Sequence, residues 1–205
     1  LSIKEMPYSI SVQNLKMTKS ELRTLYKSKR ANLTEDEIDQ LSMDIANQLL
    51  KMDIWKHSFY HLFLSIASKK EIQTDFILNI LSGKDKNIVI SKSDFEAGTM
   101  TNFLLTDNTV IKVNAYGIPE PEDGIEIAND KLDVIFVPLL TFDDHGQRIG
   151  YGKGFYDTFL ARCKPNAIKI GLSFFEAESS FEDMHEADIP LDYCVTPKTI
   201  YTFSN

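Results

Sequence analysis

The chain has 205 residues, 43% of them hydrophobic, and a formal net charge of −8. That length suggests one domain on a prior of roughly 150 residues each, with enough apolar content for a buried core. Thirty acidic residues against 22 basic ones exclude a general basic field for nucleic acid, so any anion has to be met by a local basic pocket.

Residues 1–16 show no clear periodicity and are expected to form an extension, with a single domain over 17–205. Thr18-Lys-Ser-Glu21 fits a capping box and predicts a helix to about Arg30. Thr34-Glu-Asp-Glu37 fits a second, followed by Ile38, Leu41, Ile45 and Leu49 at helical spacing to about Lys51. The apolar run Phe59–Ile66 predicts a buried strand, and Thr74 is placed to cap a short helix carrying Phe76, Ile77, Ile80 and Leu81. Asn87–Ser91 reads as the next strand. Met100–Val113 alternates like a hairpin around Asp107-Asn108, and Tyr116–Gly124 reads as a turn-rich connection. Leu132–Leu139 gives the strongest strand signal. A helix over about Gly154–Cys163 and strands over Ala167–Phe174 and Asp192–Thr196 complete the order. Strands alternating with helices predict a three-layer, Rossmann-like α/β fold around a mostly parallel sheet. Ligands of such sheets sit beyond the carboxyl ends of the strands.

The stretch DDHGQRIGYGKGFYDTFL, Asp143–Leu160, carries the chemistry. Gly150, Gly152 and Gly154 alternate around Lys153, Arg148 precedes them, and Phe155, Tyr156 and Asp157 follow. Glycines let a backbone approach a ligand closely, and a loop feeding a helix turns several N–H groups toward an anion. Arg148 and Lys153 add charge for the same anion, and Asp157 is placed to hold a metal ion against it. The spacing is neither a Walker A sequence nor a dinucleotide fingerprint, and no strand is expected immediately before it. A plain helix entrance is the competing reading of the glycines.

Other candidates are weaker in isolation. Lys19 and Arg23, four residues apart, share a helix face and could reach one phosphate, or simply be solvated. Asp188 sits among Glu182, Asp183, Glu186 and Asp192 and by itself is an exposed acid; Glu71 by itself is a loop acid. Tyr151, Phe155 and Tyr156 could stack on a flat ring. The four histidines show no triad or zinc spacing. Cys163 and Cys194 are too few for a disulfide framework and point to a reducing, cytoplasmic setting. No apolar run approaches the roughly 18 residues of a membrane span.

Taken together, these residues resemble the 5-formyltetrahydrofolate cyclo-ligase (methenyltetrahydrofolate synthetase) family. The likeness is tightest over Leu132–Leu160. It continues at Lys19-Ser-Glu-Leu-Arg23, Glu71-Ile-Gln-Thr74, Tyr116-Gly-Ile-Pro-Glu-Pro121 and Asp188-Ile-Pro-Leu-Asp192. The chain departs from the family pattern at Phe155, commonly Tyr, and at Leu139-Leu140. A usual glutamine is also missing, with Glu176 or Glu178 in that neighbourhood. The resemblance implies a monomeric enzyme dependent on ATP and Mg²⁺, on a fold similar to sugar-phosphate isomerases and CoA transferases. It implies ATP contacts from Lys19, Ser20, Glu21, Leu22 and Arg23, and from Arg148, Ile149, Gly150, Tyr151, Gly152, Lys153, Gly154, Phe155 and Tyr156. The folate substrate would meet Arg23, Glu71, Tyr151, Gly152, Lys153, Gly154 and Phe155. Asp157 and Asp188 would ligate Mg²⁺, with Arg148 and Lys153 as the catalytic pair.

Overall fold

A computed structural model describes residues 17–181 and 188–203. The expected extension over 1–16 lies outside them, as do Glu182, Asp183, His185 and Glu186. In chain order the elements are α1 (Lys19–Ala31), α2 (Glu35–Leu49), β1 (Phe59–His61), α3 (Asp75–Gly83), β2 (Asn87–Asp94) and β3 (Thr99–Leu104). Then come β4 (Ile111–Val113), β5 (Pro119–Pro121), β6 (Val134–Pro138), β7 (Thr141–Phe142) and β8 (Arg148–Ile149). The last are α4 (Phe155–Leu160), β9 (Ile168–Leu172), β10 (Tyr193–Val195) and β11 (Ile200–Thr202).

Seven strands form the central sheet in the order β11-β10-β9-β6-β1-β2-β3. The five inner strands run parallel, and only the edge strands β3 and β11 are antiparallel to their neighbours. From β1 the chain moves first to β2 on one side and later to β6 on the other. Strand order therefore reverses at β1, where a crevice opens at the carboxyl ends. One face of the sheet packs α2 and α3 through Ile45, Leu49, Ile77 and Leu81 onto Tyr60, Phe136 and Ile170. The other packs Phe159 and Leu160 of α4 onto Val89, Ile135 and Val137. The expected three-layer α/β fold is present.

Both capping boxes form as expected, with Thr18 Oγ1 accepting from Glu21 N–H and Thr34 Oγ1 from Glu37 N–H. Each such cap contributes about 1 kcal/mol. Elsewhere tertiary partners redraw the boundaries. The strand expected over Phe59–Ile66 stops at His61. Beyond it side chains take over the backbone groups: Thr74 Oγ1 donates to Phe63 O at 2.8 Å, and Glu71 Oε2 accepts from Ile66 N–H at 2.8 Å. Thr74 is therefore spent on that segment and does not cap α3.

The hairpin expected around Asp107-Asn108 is not formed. β3 pairs with β2 instead, through a turn in which Asp94 Oδ1 accepts from Glu96 and Ala97 N–H. β4 pairs with β5, a strand inside the stretch expected to be only a connection. The glycine loop does not follow β6 directly, because the β7–β8 hairpin intervenes and β8 ends immediately before Gly150. The expectation of no preceding strand is thereby corrected; two-residue strands leave no periodicity to read. α4 is shorter than Gly154–Cys163, ending at Leu160.

Candidate active site

A cavity of about 1500 Å³ opens at the reversal of strand order, between α1, the segments after β1 and β6, the glycine loop and the β4–β5 arm. A pocket for one small ligand is typically ~300–1,000 Å³. This one has room for two.

Helix α1 forms a cationic wall. Lys19, Arg23 and Arg30 lie at relative positions 0, 4 and 11, which is three helical turns along one face. Each is anchored differently. Lys19 Nζ pairs with Asp188 Oδ2 at 2.6 Å. Arg23 Nε donates to Gly150 O at 3.1 Å. The buried Arg30 donates from Nη2 to Leu139 O at 2.6 Å and from Nη1 to the Tyr151 hydroxyl at 2.7 Å.

Tyr151 passes this contact on by donating to Glu71 Oε1 at 2.7 Å. Glu71, itself buried, is thus held at both oxygens, with Ile66 N–H on Oε2. Burial and the neighbouring Glu71 carboxylate push the Tyr151 phenol well above its ordinary range, with Arg30 opposing. Burial and then Glu71 do the same to Tyr156. Both tyrosines stay protonated at any physiological pH.

The glycine loop lies against α1. Gly152 has φ of +89°, and a Cβ there would stand 3.3 Å from the Arg23 guanidinium. Gly154, with φ of +72°, starts α4 from the left-handed region. Both conformations favour glycine for a physical reason. Among the described residues, the N–H groups of Tyr151 to Gly154 donate to no backbone or side-chain acceptor. Lys153 is exposed and lines the cavity. Arg148 Nη2 pairs with Asp157 Oδ1 at 2.6 Å, and its Nη1 donates to the carbonyl of Ile189, next to Asp188. Asp157 and Asp188 thereby come to the same end of the cavity.

The floor is polar beneath an aromatic rim. His61, fully buried at the end of β1, is within hydrogen-bond reach of Ser91 Oγ at 2.8 Å; Ser91 donates to Asn102 Oδ1 at 2.7 Å. Burial lowers the His61 imidazole to about 4, the backbone of Phe136 acting weakly the other way. At the rim Phe95 overlaps Tyr116 at 4.1 Å between centroids and meets Phe155 edge-on at 5.1 Å.

Of the residues singled out in the sequence, Lys19, Ser20, Arg23, Glu71, Arg148, Asp157 and Asp188 all line this cavity, as does the whole run Gly150–Tyr156. Glu21, Leu22 and Ile149 do not. Glu21 closes the capping box, while Leu22 and Ile149 are buried together between α1 and the β7–β8 hairpin. Glu176 and Glu178 turn elsewhere, Glu176 to Thr196 and Tyr201 and Glu178 to Tyr26. Sequence reasoning missed Arg30, His61, Ser91 and Phe95. The helical spacing from Lys19 and Arg23 would have found Arg30; the others carry no pattern that separates them from core or surface.

A model described as the 5-formyltetrahydrofolate cyclo-ligase family matches residues 15–197. The chain belongs to that family. Among its curated cyclo-ligase relatives, a Schizosaccharomyces pombe protein named "Probable 5-formyltetrahydrofolate cyclo-ligase" is 26% identical over 201 residues, covering 91% of this chain and 98% of the relative. The 5-formyltetrahydrofolate cyclo-ligase of Haemophilus influenzae is 27% identical, over 84% and 94%. The solved 5,10-methenyltetrahydrofolate synthetase of Aquifex aeolicus superposes with a TM-score of 0.79 at 30% identity, covering 92% of this chain and 94% of that one. The resemblance read over Leu132–Leu160 is borne out as membership of this cyclo-ligase family. Among the described residues, no helix is long and apolar enough to cross a membrane.

Proposed function

We propose that this cyclo-ligase family member converts 5-formyltetrahydrofolate to 5,10-methenyltetrahydrofolate while splitting ATP to ADP and phosphate. One observation carries the reading beyond family membership. A cavity large enough for two ligands brings to one place the cations of α1, Lys153 and a loop whose N–H groups have no partner among the described residues. That suits a polyphosphate lying beside a second molecule.

Cyclisation is hard because attack of N10 on the N5-formyl carbon must finally expel the carbonyl oxygen. Transfer of the γ-phosphoryl group to that oxygen, with release of ADP, makes it a good leaving group and the carbon iminium-like. N10 then bonds to the carbon and loses its proton, and phosphate departs with the oxygen. Such a transfer needs in-line placement and charge neutralisation more than a protein nucleophile. Arg148, Lys153 and the loop amides would neutralise the phosphoryl oxygens, with Lys19 and Arg23 holding the rest of the chain of phosphates. Glu71, fixed by Tyr151 and Ile66, would orient the folate.

Asp157 and Asp188 fit Mg²⁺. Magnesium commonly takes one or two carboxylates and leaves its other positions to water and phosphate. Among the described residues no three acidic, His or Cys side chains form a complete cage, and the two aspartates share one end of the cavity. When bound there, the ion would supply positive charge to the phosphates.

The test follows methenyl absorbance after mixing purified protein with 5-formyltetrahydrofolate, ATP and Mg²⁺, then omitting each in turn. Product formation that needs all three supports the proposal. Turnover without ATP, or folate binding without any turnover, refutes it.

A further inference from the structure

The His61–Ser91–Asn102 chain runs beneath the cavity away from the cations. Ser91 on β2 stands directly opposite Asn102 on β3. The buried Asn102 amide nitrogen donates to Asn129 Oδ1 at 2.6 Å and reaches the Ile127 carbonyl at 3.4 Å. A backbone carbonyl can only accept, so the amide nitrogen faces it and the amide oxygen faces Ser91. The single Ser91 proton then lies toward Asn102 Oδ1, 2.7 Å away. His61 Nε2 lies 2.8 Å from the same hydroxyl and, in the Nε2–H tautomer, donates to it. In the Nδ1–H tautomer, which the Phe136 backbone favours, Ser91 donates to His61 Nε2 instead, so in either tautomer its one proton stays on an inner partner. A serine oxygen donates once and accepts twice, so one lone pair remains. Of these three residues only Ser91 and His61 line the cavity, and His61 is fully buried while Ser91 is partly exposed.

We propose that Ser91 Oγ is a specificity-determining acceptor for an N–H group of the reduced pterin ring, locked in that polarity by His61 and Asn102. The assignment rests on the folate reading above and deepens it. With its proton committed, the hydroxyl offers a ligand only an acceptor. Phosphate and carboxylate oxygens have no hydrogen to give it, so this corner turns away the nucleotide's phosphates and the substrate's glutamyl end. The pterin carries ring N–H and amino donors on a flat body, which the aromatic rim of Phe95, Tyr116 and Phe155 would flank. A site built to receive a donor discriminates by leaving a buried group unpaired when the donor is lacking.

Steady-state kinetics of wild type, Ser91→Ala and Ser91→Thr test this, with thermal melts as a folding control. Ser91→Ala should raise the KM for 5-formyltetrahydrofolate about 3- to 10-fold, the range for one neutral hydrogen bond, and leave the KM for ATP unchanged. Ser91→Thr, which keeps the hydroxyl on a strand that suits a β-branched residue, should restore it. An unchanged folate KM in Ser91→Ala, a change confined to ATP, or no restoration by Thr overturns the assignment. Should wild type fail to turn over, the cyclo-ligase proposal fails separately. Calorimetric titration of 5-formyltetrahydrofolate into the same three proteins then decides on Ser91: loss in Ala and recovery in Thr support it, while equal or absent binding in all three ends it.

Discussion

Asp157 Oδ1 lies 2.6 Å from Arg148 Nη2 and also accepts the Ile189 N–H at 3.3 Å. One carboxylate therefore ties the start of α4 to the strand before the glycine loop and to the segment carrying Asp188. Its second oxygen has no hydrogen-bond partner among the described residues. A carboxylate clamped at one oxygen keeps its orientation and can present the other to a cation.

The first prediction follows from that arrangement. Asp157→Asn should raise the Mg²⁺ concentration needed for half-maximal turnover by roughly 10- to 100-fold, a scale on which even outer-shell metal partners act. Removing divalent ions with a chelator should abolish turnover of wild type. Titrating Mg²⁺ against initial rate distinguishes a ligand from a purely structural partner of Arg148. A structural partner would lower the rate by the same factor at every Mg²⁺ concentration.

Lys153 makes no hydrogen bond, ion pair or ring contact among the described residues, yet it lines the cavity between Gly152 and Gly154. Stability gives no reason for its position, and the function proposed above assigns its charge to the phosphates of a ligand. Lys153→Ala should leave the melting temperature within experimental error and lower kcat by roughly 10²- to 10³-fold, as for other electrostatic stabilisers of a transition state. Near-normal kcat removes Lys153 from the mechanism.

The glycines are not equivalent. A Cβ at Gly150 meets nothing within 4 Å, and its φ is not in the left-handed region. At Gly152 the φ of +89° strains any L side chain and the Arg23 guanidinium stands 3.3 Å away. Gly152→Ala should therefore weaken ATP binding at least about 10-fold, on a backbone strain of order 1–3 kcal/mol. Gly150→Ala should change it less than about threefold. Nucleotide titration by calorimetry compares them directly, and equal effects at both positions would show that loop shape is not what matters.

The alternating glycines with Arg148, Lys153 and Asp157 were legible in the sequence because their chemistry sits within ten consecutive residues. The inner strands were legible because burial on both faces leaves unbroken apolar runs such as Leu132–Leu139. What could not be read was anything decided by partners far along the chain. Thr74 has the residue type of a helix cap but finds Phe63 O. Asp107-Asn108 has the type of a hairpin turn, yet β3 is claimed by β2. Arg30 looked like an ordinary basic residue in a last helical turn, and only the meeting of α1 with Leu139 and Tyr151 buries it. His61 lay inside an apolar run, where a buried imidazole and a core aromatic look the same.

Arg30, Tyr151 and Glu71 form one relay with buried ends, and the half-buried phenol in its middle is both acceptor and donor. Tyr151→Phe deletes the bridge and leaves Arg30 Nη1 and Glu71 Oε1 without that partner. Leaving buried polar groups unsatisfied costs about 1–3 kcal/mol. Denaturant unfolding of Tyr151→Phe should show a loss of that size, together with a raised KM for 5-formyltetrahydrofolate as Glu71 loses its orientation. A stability loss with an unaltered folate KM would confine the relay to structure and detach Glu71 from the substrate.

The last prediction concerns pH. His61 titrates near 4 in the folded chain because it is fully buried, against 6.5 when unfolded. Between those values the unfolded state binds the extra proton, so acid favours unfolding. The neutral imidazole's contribution is complete above about pH 6.5 and shrinks as pH falls. It is gone once pH has passed below the folded value near 4. The difference corresponds to about 3 kcal/mol, at 1.36 kcal/mol per pKa unit. Carboxylates titrate in the same window, so the slope of wild type alone does not isolate it. His61→Phe removes the group while keeping an aromatic ring among Tyr156 and Phe159. Urea unfolding of both proteins at several pH values from 7 to 4 should give a stability gap that moves in favour of the variant as the solution is acidified. Parallel curves across that range would mean that burial leaves the imidazole's pKa at its unfolded value.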